Sequence, residues 1–127
     1  MAKLLDNTVL DAGLDLIQAN ATQISLTVDQ PTTYGTATGT YALAIKSDLT
    51  SGSYTSPADD AVSPYGRKLI VSAVTAEPVD VSGTAGFVNL MGAAATLYAV
   101  TTCTAQALVQ GNTVTIPAWK IQIGDPT

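Results

Sequence analysis

Alternation of apolar and polar residues with a period of two is the feature that most constrains the fold of this 127-residue chain. Ile24, Leu26 and Val28 alternate with polar residues, which is the pattern of a strand with one buried face. Residues 41–46 repeat this pattern, and β-branched residues recur throughout the chain. Short alternating runs separated by turn residues predict an all-β chain.

Further strands are predicted where β-branched runs stand between turn residues, at 67–74, 78–81, 85–90, 95–102, 105–109, 113–116 and 119–123. The runs 105–109 and 113–116 flank Gly111 and Asn112 and predict a hairpin. Seven to nine such strands predict two packed antiparallel sheets or a barrel. Our prediction is an antiparallel β-sandwich, with jelly-roll topology as one option, in a single domain spanning 1–127.

A helical period occurs once, in residues 8–20. Leu10, Leu14 and Ile17 fall at i, i+4 and i+7 and form one apolar stripe. We therefore predict an N-terminal arm and helix in residues 1–21. The three apolar side chains are candidate protein-contact residues.

This helix is short, and its residues give it little stability of its own. Thr8 is the predicted N-cap, and Gly13 destabilises a helix by about 1 kcal/mol relative to Ala. Such a helix gains stability by docking its apolar stripe, either on its own sheet or on a neighbouring subunit.

The segment 47–66, within the predicted sandwich of residues 22–127, is rich in Ser, Asp, Pro and Tyr. This composition predicts a long exposed loop with one short strand near 48–50. Tyr54 and Tyr65 lie in it and are candidate contact residues for a protein or a sugar. Tyrosine rings lying over the ends of the sandwich are the alternative interpretation.

Charge is sparse and acidic, with five Lys plus Arg against ten Asp plus Glu and a net charge of −5. A chain of this kind lacks the basic surface that nucleic acid requires, so no nucleic-acid partner is expected. Arg67 and Lys68 predict a strand start at an exposed edge. The single cysteine, Cys103, excludes an internal disulfide and is predicted to be a small buried apolar residue.

Neither a membrane span nor a signal peptide is indicated, because apolar runs are short at the start and elsewhere. We therefore expect no membrane partner and synthesis in a reducing cytoplasm.

Catalytic chemistry is not indicated by the residue types present. The chain has no His, which removes the commonest general base and metal ligand. Asp48, Asp59 and Asp60 form the one acidic cluster, and Asp residues in such a loop usually form turns. A calcium site built from them is the alternative. The sequence therefore predicts neither an enzyme nor a cofactor.

Several segments resemble a family of small proteins from tailed bacteriophages. The likeness covers most of the chain and rests on 98–108, 111–119, 125–127, 4–6, 14–20, 30–34 and 66–68. The resemblance assigns no residue a role, but it implies a setting. A small, acidic, β-rich chain without catalytic groups resembles a capsid decoration, or cement, protein.

That resemblance implies binding to the major capsid protein on the outside of the phage head, and localisation to the virion after synthesis in the host cytoplasm. It also implies a symmetric homo-oligomer, with a trimer preferred. The N-terminal segment to Ala21 and the 47–66 loop are the expected contact elements. A tail, baseplate or receptor-binding component, or an assembly accessory protein outside the virion, would have the same composition and stays open.

Overall fold

A computed structural model describes residues 5–61, 66–92 and 94–124. Its helix is α1 (Asn7–Asn20), and its strands are β1 (Gln23–Thr27), β2 (Ala42–Lys46), β3 (Tyr54–Asp59), β4 (Arg67–Val71), β5 (Val74–Pro78), β6 (Gly83–Gly92), β7 (Thr96–Leu108), β8 (Thr113–Ile116) and β9 (Trp119–Ile123). A π-helical turn spans Thr36–Thr40, and a 3₁₀ turn spans Ser51–Ser53.

The strands form a four-stranded sheet in the order β2-β1-β6-β7, a three-stranded sheet in the order β3-β4-β9, and a β5-β8 pair. Every pairing is antiparallel. The all-β, sandwich-like fold with one N-terminal helix is therefore confirmed. Sheets of four, three and two strands differ from the eight-stranded double sheet of a jelly roll.

One face of the four-stranded sheet supplies the core. Ile24 lies opposite Leu90 and Leu26 opposite Val88 in the β1-β6 register, and all four side chains are buried. Because side chains alternate along a strand, Ser25 and Asn89 point to the other face, where they are also buried. The predicted strand is confirmed, but the prediction of a single buried face was wrong: residues 24–27 are all buried, and Val28 lies after the strand and is 43% exposed.

Helix α1 docks on its own chain. Leu10 and Leu14 are buried, and the helix contacts β3 and β4 of the three-stranded sheet. The predicted N-cap was wrong, because Asp6 caps the helix: its Oδ1 accepts the Thr8 amide at 2.8 Å. Hydrogen bonding from Thr8 lowers the pKa of Asp6, as expected for a carboxylate at the positive end of a helix.

The prediction of a long exposed loop at 47–66 was wrong for residues 54–59, which form β3, whereas residues 47–53 lie outside the strands. Leu49 and Tyr54 are buried, and β3 pairs with β4 where the loop was expected. The short strand predicted near 48–50 is not formed. Polar residues dominate β3 because it is the edge strand of its sheet, so Thr55 and Ser56 can remain exposed.

The predicted hairpin between 105–109 and 113–116 was also wrong. Residues 105–108 continue β7, which pairs with β6, whereas β8 pairs with β5 through Val74 and Ile116. The Thr-rich run at the centre of β7 contains no turn residue, so the strand does not break there. The strand expected at 78–81 lies earlier, as β5.

Arg67 does begin a strand, as predicted, but not at an exposed edge. Strand β4 is central in its sheet, between β3 and β9. Within residues 5–61, 66–92 and 94–124, no helix has the length and apolar character needed to cross a membrane.

Candidate functional site

The three aspartates considered for calcium each face a cation. Asp48 pairs with Lys46 at 2.9 Å, Asp59 with Arg67 at 2.8 Å, and the buried Asp60 with Lys120. In the part of the chain that the structure describes, no group of three His, Cys, Asp or Glu residues could hold a metal ion. The structure therefore does not gather these carboxylates into a calcium site.

Most of the predicted contact residues are used inside the fold. Leu10, Leu14 and Tyr54 are buried, and Ile17 is half-buried against the core. These side chains are not exposed to a partner, so their contribution is to stability. Tyr65 lies outside the described residues.

Tyr54 connects β3 to the end of α1. Its hydroxyl donates a hydrogen bond of 2.6 Å to the carbonyl oxygen of Ala21, the residue that follows the helix. Burial raises the pKa of Tyr54 to about 12. The hydroxyl is therefore neutral at physiological pH, and its hydrogen bond to Ala21 does not change with pH in that range.

The outward face of α1 carries a second apolar stripe. Val9 is 58% exposed and Leu16 is 55% exposed. Ala12, which lies between them, and Ala19, one turn further on, are also exposed. These residues are three or four positions apart, so they lie on one side of the helix. We call Val9, Ala12, Leu16 and Ala19 the outer stripe. The sequence indicates this stripe by a second i, i+3, i+7 pattern of apolar residues, at Val9, Ala12 and Leu16.

Polar contacts hold α1 in a fixed position. The Arg67 guanidinium bonds both carboxylate oxygens of Asp11, at 2.7 and 2.9 Å. Nε2 of Gln18 donates to the Ser51 carbonyl oxygen and the Ser56 hydroxyl, both at 3.3 Å. The outer stripe is therefore presented on a helix that is tied to β3, β4 and the 3₁₀ turn.

Basic side chains are largely engaged in these internal pairs. The pKa of Arg67 is raised by its hydrogen bonds to Asp11 and Asp59, and that of Lys46 by its hydrogen bond to Asp48. Asp15, Asp29 and Asp80 are exposed. The accessible charge near the outer stripe, where Asp15 lies, is therefore acidic.

A second exposed apolar pair lies in two neighbouring loops. Val81 is 52% exposed and Val109 is 57% exposed. The backbone amide of Gln110 donates to the Ser82 hydroxyl at 2.9 Å, which holds the two loops together. This pair is smaller than the outer stripe and provides a comparison site for it.

Shallow apolar cavities follow the core-side face of β7. One of about 270 Å³ is lined by Val88, Cys103, Ile116 and Pro117 among others. Another of about 260 Å³ extends to Trp119. Cys103 is half-buried, and burial raises the pKa of its thiol. These volumes fall below those typical of small-molecule sites, and their walls carry little charge.

Comparisons with family models, with curated proteins and with solved structures find no match for this chain.

Proposed function

We propose that this protein is a structural component of a bacteriophage virion, a capsid decoration protein that binds the major capsid protein on the outer surface of the head and stabilises the shell. The resemblance carried by segments such as 98–108 and 111–119 supports this setting. In the structure these segments supply most of β7, all of β8 and the start of β9, so the likeness falls on the body of the fold.

The outer stripe of α1 is the observation that carries the proposal. A helix that has already docked one apolar stripe has no need of a second for its own stability, yet Val9 and Leu16 remain more than half exposed. Exposed apolar residues that are contiguous on one rigid element are typical of a protein-binding surface. The occupant we propose is the major capsid protein.

Charge favours the outside of the head over its interior. The chain carries a net charge of −5, and Lys46, Arg67 and Lys120 are engaged in ion pairs. Packaged DNA would repel such a surface, so an acidic chain is better suited to the outside of the shell. An apolar stripe beside an acidic residue, Asp15, suits a contact with protein.

A small contact is sufficient for this role. The outer stripe is one face of a 14-residue helix, about 21 Å long, so each copy would bury only a modest area. On a symmetric shell many copies act together, and self-association would add avidity. A three-fold arrangement is favoured by the resemblance alone.

The first test is the copy number in purified virions, measured by quantitative mass spectrometry against the major capsid protein. We expect a simple ratio fixed by the capsid lattice. A few copies per particle would place the protein in the tail or baseplate instead. Absence from the particle would support an accessory role and overturn the proposal.

The second test separates the outer stripe from general surface effects. Leu16→Asp and Val81→Asp each replace an apolar residue that is 55% or 52% exposed by a carboxylate. We expect Leu16→Asp to weaken binding to isolated capsid shells by about tenfold or more, and Val81→Asp to leave it unchanged. Equal binding by both variants would show that α1 is not the contact element.

A further inference from the structure

Strand β7 forms an open edge of the four-stranded sheet. It contains 13 residues, pairs with β6 on one side, and has no strand on its other side in residues 5–61, 66–92 and 94–124. Alternate residues of such a strand direct their N–H and C=O groups away from the sheet. At about 3.4 Å per residue, the edge is about 44 Å long.

Strand β7 differs in composition from the other strands at sheet edges. Residues 96–108 include no charged residue and no proline. The other strands at sheet edges carry a charge or a proline in or directly after them: Lys46 in β2, Pro57 and Asp59 in β3, Glu77 and Pro78 in β5, Pro117 after β8, and Lys120 in β9. Charges and prolines are the usual means of preventing edge-to-edge pairing, and β7 lacks both.

Two irregularities divide β7. Its register with β6 shifts between Leu90 and Met91 and again between Ala85 and Phe87. Between the shifts, residues 99–102 pair regularly with β6. Bulges twist a strand locally, so the regularly paired segment at 99–102 is the part of the edge best suited to accept another strand.

Apolar cavities lie beside this segment. The cavity of about 260 Å³ is lined by Val88, residues 101–103 of β7, and residues 116–120. Nε1 of Trp119 is buried there without a hydrogen-bond partner in the described residues. A strand added to β7 would place alternate side chains over this wall, which combines backbone pairing with apolar burial.

We propose that the occupant of this edge is a second copy of the same chain, with the two β7 strands paired antiparallel about a two-fold axis centred on residues 99–102. The pairing would join two four-stranded sheets into one eight-stranded sheet. A two-fold interface is self-complementary, so it uses the same residues on both copies.

The absence of charge on this edge allows two copies to meet there. Two copies that each carry a net charge of −5 repel one another over most orientations. Pairing through β7 brings together 13 uncharged residues from each copy, so no like charges lie opposite one another within the paired strands. A basic partner strand would find no acidic residue on this edge. The dimer does not depend on the proposed capsid role and differs from the trimer that the resemblance implies.

The test places a single Lys on the edge of the intact protein. Thr102→Lys acts on exposed Thr102 in β7, and Thr55→Lys makes the same change at exposed Thr55 in β3, another edge strand. Sedimentation equilibrium measures the dissociation constant of each, and circular dichroism checks folding. We expect the unmodified chain and Thr55→Lys to dimerise, and Thr102→Lys to raise the dissociation constant by about tenfold or more.

Amide hydrogen exchange in the unmodified protein gives an independent result. Protection at residues 99–102 should increase with protein concentration. The proposal is overturned by a monomer or a trimer at all accessible concentrations, by a dimer that both variants weaken equally, or by exchange at 99–102 that is independent of concentration. If Thr102→Lys fails to fold, the exchange experiment decides the question.

Discussion

The guanidinium of Arg67 binds the carboxylate of Asp11 through two hydrogen bonds, from Nε to Oδ1 at 2.7 Å and from Nη2 to Oδ2 at 2.9 Å. The two residues are distant in sequence and join α1 to the first residue of β4. Two-pronged pairs of this kind fix orientation as well as distance. This contact therefore holds α1 in one orientation against β4.

Asp11→Asn should destabilise the protein by removing one of the two carboxylate charges that Arg67 binds. The side chain of Arg67 is only 15% exposed, so its charge would lose a partner in a partly desolvated position. We expect the thermal midpoint to fall by several degrees in differential scanning calorimetry. Asp15→Asn, at an exposed position on the same helix, is the matched control and should leave the midpoint nearly unchanged. Equal midpoints for the two variants would contradict this role.

Tyr54→Phe should cost about 1–2 kcal/mol of unfolding free energy, because the Ala21 carbonyl oxygen loses a buried donor. Chemical denaturation at neutral pH measures this difference. Tyr41→Phe, at a half-buried tyrosine in the turn before β2, is a control for loss of a hydroxyl. A Tyr54→Phe variant as stable as the parent would show that the hydrogen bond contributes nothing net.

The same residue should give the protein an alkaline transition. The pKa of Tyr54 rises from 10.0 to about 12 on folding, so the folded state favours the protonated phenol. That contribution to stability is fully present below pH 10 and is lost as the pH rises towards 12. The difference in stability between the parent and Tyr54→Phe should therefore shrink across this range. A difference that stays constant with pH would exclude this linkage.

Local periodicity predicted much of the fold. Strands β1, β4 and β9 lie close to where alternation placed them, because each packs alternate apolar side chains against the core. Strand pairing was less predictable. Strand β7 pairs with β6, the strand directly before it, whereas β8 pairs with β5, which is remote in sequence. The turn residues Gly111 and Asn112 favour a chain reversal but do not show that the strands on either side pair with each other.

The predicted contact stripe of Leu10 and Leu14 is buried, and the proposed contact surface lies on the opposite face of the same helix. Val9 and Leu16 repeat with the same period as Leu10 and Leu14, so periodicity alone does not decide which stripe is buried. Asp11 accompanies the stripe that is buried. At about 100° per residue, Asp11 is nearer to the stripe of Leu10 and Leu14, and its bond to Arg67 holds that side of the helix against β4. This contact joins residues distant in sequence, so local periodicity could not predict it.

Asn89 organises the buried polar face of the β1-β6 pair. Its Nδ2 donates to the hydroxyls of Ser25 and Thr27, each at 3.1 Å, and all three side chains are buried. Asn89→Ala should cost about 2–3 kcal/mol, because two buried hydroxyls lose a donor and a small cavity forms. Gln30→Ala, which removes an exposed amide, is the control for chemical denaturation. Similar losses in both variants would contradict a structural role for this cluster.

Gly92 sits where β6 passes the end of α1, and it has no room for a side chain. A Cβ there would lie 2.7 Å from Cε2 of Tyr98 and 2.9 Å from the carbonyl oxygen of Asn20. The tyrosine ring can move, but the backbone oxygen cannot do so without shifting the helix end. We therefore expect Gly92→Ala to lower the unfolding free energy by about 1–3 kcal/mol.

Gly39 provides the matched control for that substitution. It lies in the π-helical turn, and a Cβ built there meets nothing within 4 Å. Gly39→Ala should be neutral or should stabilise the protein by about 0.4–1 kcal/mol, because Ala has less conformational freedom to lose on folding. Chemical denaturation of the two variants side by side measures the contrast. If Gly92→Ala proved as stable as Gly39→Ala, the close approach of β6 to the end of α1 could not be tight.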